Sequence, residues 1–155
     1  MRLRAHLAEF LGTGLITATV VGSGIMAQTL TRDVLLQLLV NTFATVLILA
    51  LVIWLLAPVS GAYFNPAVLL VAFLRRELSA LHLLTFSVVQ ILGAASGAIL
   101  AHALFNRALI DSSNSNRDGS WLFLSEIVAT AGLIATIFIA KNQGRGENAF
   151  WLVPL

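Results

Sequence analysis

Polar chemistry is scarce in this chain, and it is concentrated in one loop and two glutamates. The loop is Ser60-Gly61-Ala62-Tyr63-Phe64-Asn65-Pro66-Ala67-Val68, and the glutamates are Glu9 and Glu126, each near or inside an apolar segment. Asparagine is a preferred helix N-cap, because its side chain accepts from the orphan backbone donors of the first turn. Proline suits the first helical position, where its missing N–H costs nothing. Asn65 therefore caps, Pro66 starts, and a short helix runs from Ala67 to Arg75 and Arg76. About ten residues at roughly 1.5 Å each give about 15 Å, half the apolar thickness of a bilayer. Irregular backbone at membrane depth is tolerated only where it is buried in protein or lines a water-filled cavity. A half-helix with an electropositive, capped start in that setting reads as part of a conduction path. Covalent chemistry has no support. There is no Ser/His/Asp arrangement, no glycine-rich phosphate loop and no carboxylate pair, so neither catalytic residues nor an enzyme is expected. His82 and His102 are not at metal-ligand spacing, and with no cysteine there is no thiolate site or disulfide framework. No metal and no cofactor are expected.

The elements that must hold this loop are apolar throughout. Of 155 residues, 59% are hydrophobic and only 10% charged, against about a quarter charged in a soluble domain. Mean hydropathy is +0.94. The net charge of +2 forms no basic patch, so nucleic acid is not an expected partner and the lipid bilayer is. Four apolar segments, at about 5–30, 34–57, 78–105 and 121–140, each reach the roughly 20 residues of a spanning helix. The first follows Arg2 and Arg4 as a signal peptide would. It is too long for one and further spans follow, so it reads as a retained helix. The half-helix falls between the second and third spans as a re-entrant piece. Residues 106–120 are polar and read as an exposed loop. With the N-terminus cytoplasmic, the inside carries Arg2, Arg4, Arg75, Arg76, Lys141 and Arg145, and the outside carries Arg32, Arg107 and Arg117. That bias predicts an N-terminus inside and a multi-pass protein of the cell (inner) membrane, with the half-helix entering from the cytoplasmic face.

Ionisable residues inside spans usually face the bundle interior with a partner. The contexts of the two glutamates match: Ala8-Glu9-Phe10-Leu11-Gly12-Thr13 resembles Ser125-Glu126-Ile127-Val128-Ala129-Thr130, and the register continues from Ala18-Thr19 to Ala135-Thr136. The offset is 126 − 9 = 117 residues. Repeats containing a broken helix are how inverted-repeat transporters are built. Residues 1–110 thus form a first repeat of three spans and the half-helix, and 111–155 begin a second with the fourth span and the start of a fifth from Phe150. The same offset puts a second Asn-Pro-Ala near position 65 + 117 = 182, past Leu155, so a truncated protein is expected. The predicted fold class is an all-α membrane protein: an inverted-repeat helical bundle, incomplete, with four spans, one re-entrant half-helix and the beginning of a fifth span.

Glu9 with Gly12-Thr13, the Ser60-to-Val68 loop, Gln90 with Gly93, and Glu126 opening the fourth span together resemble the aquaporin (major intrinsic protein) family. Gly22-Ser23-Gly24-Ile25-Met26-Ala27 resembles a bacterial branch often associated with arsenic-resistance genes. The resemblance implies passive conduction of water or small neutral solutes, usually by a homotetramer. It implies that Asn65, with Pro66 and Ala67, lines the pore and orients permeating molecules, while the positive end of the half-helix repels cations and protons. Glu9 and Glu126 would accept hydrogen bonds from re-entrant backbone, with Ser60, Gly61 and Gln90 supporting the loop. Twenty residues before Asn65 lies Thr45, at the family's filter position, where water-selective members carry phenylalanine. Threonine there implies a wider constriction suited to glycerol or a metalloid hydroxide. Tyr63 stands where many members carry histidine, so a pH response tied to that histidine does not transfer. The residue run Gly93-Ala94-Ala95-Ser96-Gly97 is a small face suited to close packing inside the bundle. A second expectation, of a different class, is a non-conducting fragment or a subunit that needs a partner half to form a pore.

Overall fold

The apolar segments fold as helices because only a helix satisfies its own backbone donors and acceptors without water. A computed structural model describes residues 2–110 and 119–154. Of the polar loop expected at 106–120, residues 111–118 lie outside the described residues, as do the boundary between the two repeats and Leu155. In chain order the helices are α1 (Arg2–Leu30), α2 (Val34–Ser60), α3 (Pro66–Leu74), α4 (Ala80–Leu104) and α5 (Ser120–Asn142). A single 3-10 turn (Gly146–Asn148) and the short α6 (Ala149–Leu152) follow. Four of them, α1, α2, α4 and α5, are long and apolar enough to cross a membrane.

The helix ends obey local rules. Asp33 caps α2 by accepting from the Leu36 N–H at 3.1 Å, and Ser79 caps α4. The second span runs on to Ser60 rather than stopping at Ala57. Pro58 sits in its last turn, where the missing donor breaks little, and Gly61 ends the helix in a left-handed conformation (φ 94) with its N–H on the Ala57 carbonyl at 3.0 Å. Ser79 likewise delays the third span to Ala80.

Helix α1 is the centre, packing along both α4 and α2. The α1–α4 crossing is close because two glycines of α4 lack side chains. A Cβ on Gly97 would fall 2.1 Å from the Gly14 carbonyl oxygen, and one on Gly93 would fall 2.3 Å from that of Phe10. The small-residue run therefore packs inside this chain, against α1. Helix α3 lies on α4 and touches α5, with Leu69 and Ala72 wholly buried. Outward faces such as Phe43, Leu47 and Trp54 of α2 are exposed apolar surface, which costs nothing against lipid. Among the described residues, α5 packs only on α3, the 3-10 turn and α6.

Candidate functional site

The site is built where α2 ends and α3 begins. Three of the four residues from Gly61 to Phe64 are left-handed: Gly61 (φ 94), Ala62 (φ 52) and Phe64 (φ 48). For a non-glycine residue such backbone costs of order 1–3 kcal/mol and persists only where the surroundings over-determine it. Glu9 does so. Its carboxylate has no solvent exposure and accepts four hydrogen bonds. Oε1 receives the Ser60 hydroxyl at 2.6 Å and the Tyr63 N–H at 3.1 Å. Oε2 receives the Phe64 N–H at 2.8 Å and the Gln90 side-chain amide at 2.7 Å. Bonds to a carboxylate are shorter and stronger than neutral ones, and these four serve a carboxyl group that makes no ion pair among the described residues. The Ser60 hydroxyl also accepts from the Ala62 N–H at 3.1 Å, so each non-glycine residue of the turn is tied through its own N–H. Phe64 seats its ring on bare backbone, since a Cβ on Gly12 would come within 2.1 Å of the ring.

Gln90 is buried, and its Oε1 has no hydrogen-bond partner among the described residues. Its orientation is nonetheless forced. Exchanging its amide nitrogen and oxygen would set two acceptors face to face at Glu9, so the nitrogen must point there.

Asn65 is extended (φ −149, ψ 122), and its Oδ1 accepts from the Ala67 N–H at 2.8 Å, capping α3. That leaves its Nδ2 with no acceptor among the described residues. Asn65 lines a cavity of about 420 Å³. One side of this cavity is apolar, from Ile16 of α1, Leu49 and Ile53 of α2, and Leu133 and Ile137 of α5. The other is the loop itself, Gly61 through Asn65. No described group donates to the carbonyls of Gly61, Ala62, Tyr63 and Phe64. A polar solute in the cavity thus meets the Asn65 Nδ2, several free acceptors and the positive end of the α3 dipole on one side, and mostly hydrocarbon, with Lys141 of α5, on the other.

The remaining sequence-derived residues are placed as follows. Pro66 is exposed and Ala67 half-buried at the start of α3. Thr45 is half-buried on α2, one turn beyond Leu49, with its hydroxyl on the Asn41 carbonyl at 2.8 Å. It shares the face of α2 that lines the cavity but lies outside the lining itself. Glu126 is exposed on α5 and has no hydrogen bond among the described residues, so it is not brought to this loop. His82 bonds the Ser79 hydroxyl at 2.8 Å and His102 the Leu109 carbonyl at 3.3 Å. Tyr63 lines the cavity and packs on Phe86.

Sequence reasoning missed a charged cluster at the foot of α3, where Glu77 accepts from both Arg75 and Lys141. Burial alone would raise the Glu77 carboxyl, but those two hydrogen bonds and charges outweigh it and hold it below its ordinary value of 4.5. Only the adjacency of opposite charges at Arg75 and Glu77 hinted at it; nothing local pointed to Lys141, 64 residues on. Asn41 was missed too, and its Nδ2 ties α2 to the Val20 carbonyl (2.8 Å) and Ser23 hydroxyl (3.1 Å) of α1.

The family model described as Major intrinsic protein matches residues 1–155. Aquaglyceroporin AqpS of Rhizobium meliloti (strain 1021) is 46% identical over 152 residues, covering 98% of this chain and 65% of that protein. Aquaporin-2 of Bos taurus is 30% identical over 150 residues, covering 94% of this chain and 54% of that protein. Aquaporin PIP1-2 of Musa acuminata is 33% identical over 166 residues, covering 98% and 63%. The chain thus spans 54% to 65% of the length of these relatives.

Proposed function

The chain belongs to the major intrinsic protein family, and from that premise we propose that its residues form one wall of a passive membrane channel for water or small neutral solutes. With four helices long enough to cross a bilayer, it is a multi-pass membrane protein. The observation that carries the reading is the two-sided cavity at Asn65. A neutral solute that sheds water there regains hydrogen bonds from the Asn65 amide and the loop carbonyls, and its apolar flank meets Ile53 and Leu49. A cation meets the same loop carbonyls but also the positive end of α3 and the Lys141 ammonium. The carboxylates of Glu9 and Glu77 are already engaged, Glu9 by four donors and Glu77 by Arg75 and Lys141. Thr45 at the filter position favours solutes wider than water, of glycerol or metalloid-hydroxide type. The relative named an aquaglyceroporin, from Rhizobium meliloti, supports that. The same reading puts the N-terminus in the cytoplasm of an inner-membrane protein, assembles the chain as a homo-oligomer, and divides it into a first repeat (1–110) and the start of a second (111–155).

A second reading has its own observation. Among the described residues only one capped half-helix, α3, points at the cavity, and α5 closes it from one side with few contacts. On this reading the 155 residues do not conduct until a second half faces them. Swelling of liposomes carrying the chain, in glycerol and water gradients, decides between the two. Permeability above empty liposomes supports conduction by the chain itself. Permeability that appears only when the uncovered segment of the Rhizobium meliloti relative is co-reconstituted supports the second. None in either case refutes the channel reading. In whichever form conducts, Asn65→Asp is expected to raise cation leak; an unchanged leak counts against the role of Asn65 in exclusion.

A further inference from the structure

Helix α5 supplies Leu133, Ile137, Phe138 and Lys141 to the cavity wall, yet nothing holds it to α1, α2 or α4 directly among the described residues. Besides the 3-10 turn and α6, which itself packs on α2, what holds it is a cluster at the foot of α3. The Arg75 Nε donates to Glu77 Oε1 at 2.9 Å, and its Nη2 donates to Asn142 Oδ1 at 2.9 Å. The same guanidinium lies 4.7 Å from the ring centre of Phe138. Glu77 Oε2 accepts from the Lys141 ammonium. Phe138, Lys141 and Asn142 are spaced three and four apart, so one face of α5 takes all of these contacts, and two of the three also line the cavity. Arg75 is itself anchored, because its backbone N–H closes α3 on the Val71 carbonyl at 2.9 Å, and α3 is seated by the fully buried Leu69 and Ala72.

We propose that Arg75 and Glu77 are positioning residues that latch α5 to the half-helix and thereby set the width of the cavity's mouth beside Tyr63 and Lys141. The consequence for solute size rests on the channel reading; the latch itself does not. Arg75 is the central member, because a planar fork can donate in two directions while stacking on a ring, which a lysine cannot. Exposed ion pairs are individually weak, but here they act together, and the other contacts of α5 run through the 3-10 turn and α6 rather than to the half-helix. Arg76, the next residue, is exposed and takes no part.

The chain has no cysteine, so a labelled pair can be introduced cleanly. Leu51→Cys on α2 and Ile139→Cys on α5 place spin labels on exposed, outward positions that leave the cavity unfilled. In liposomes the parent pair is expected to give one narrow distance distribution. Arg75→Gln should lengthen and broaden it, Arg75→Lys should restore it only in part, and Arg76→Gln should leave it unchanged. Molar salt should broaden the parent by screening both pairs and should act less on Arg75→Gln, which keeps only the Lys141–Glu77 pair. That salt test on the parent stands even if Arg75→Gln fails to insert. A distribution unmoved by Arg75→Gln, or by salt in the parent, overturns the latch. A widened distribution in a chain that passes no solute keeps the latch and sinks only the channel reading.

Discussion

Glu9 and Glu126 sit in matching sequence contexts and end in opposite surroundings. Glu9 is wholly buried and accepts four hydrogen bonds; Glu126 is exposed and accepts none among the described residues. Local sequence therefore does not decide the fate of either carboxylate. What decides it is the arrival of a loop carrying unpaired N–H groups. A buried carboxylate and a left-handed turn are each costly alone. Together they cancel, because the turn aims the Tyr63 and Phe64 donors at one spot and the carboxylate fills it. The same contrast separates the helices. Helix α1 is locked to α4 by backbone contact at Gly93 and Gly97, whereas α5 is held by a few polar contacts to α3 and by the 3-10 turn and α6.

Four substitutions probe that contrast, the first with the largest effect. Glu9→Ala should destabilise the chain by about 3–5 kcal/mol, since it strands buried donors with no acceptor. Denaturant unfolding in micelles measures this, and a loss near that of an ordinary surface change would break the comparison. Gly97→Ala should cost about 1–3 kcal/mol in the same assay, because its methyl meets the Gly14 carbonyl and the two backbones must part. Glu77 gives a smaller, pH-dependent effect. Its folded-state pKa is lowered, so its stabilisation is complete above the ordinary carboxylate value and is lost as pH falls through the lower, folded-state value. Acid should therefore lower the melting temperature of the parent more than that of Glu77→Gln. Equal acid sensitivity would show that the cluster contributes nothing. Glu126→Gln is the smallest, within about 0.5 kcal/mol of the parent; a large effect would mean that Glu126 has a buried partner.

The sequence was most legible where structure is set locally. An asparagine followed by a proline prescribes a capped start, and α3 begins at Pro66. Uninterrupted apolar length prescribes spans, and four helices follow. The span ends were less legible, because Pro58 in a last turn breaks almost nothing and Gly61, not the proline, stops α2. Least legible were partnerships over long separations. Gln90 lies 81 residues from Glu9, and Asn142 lies 67 from Arg75. No periodicity or spacing encodes such pairs; only the packing of α4 on α1, and of α5 on α3, brings them together. The environment of Glu126 was hidden for the same reason.

Amide hydrogen exchange at Tyr63 and Phe64 tests the central claim most directly, comparing the chain with Glu9→Gln in lipid nanodiscs. Both N–H groups point at the Glu9 carboxylate and belong to no helix. They should exchange as slowly as helical amides in the parent and rapidly in the variant, while the amides of α4 near Ala101 stay protected in both. Equal rates at Tyr63 and Phe64 in parent and variant would contradict the account.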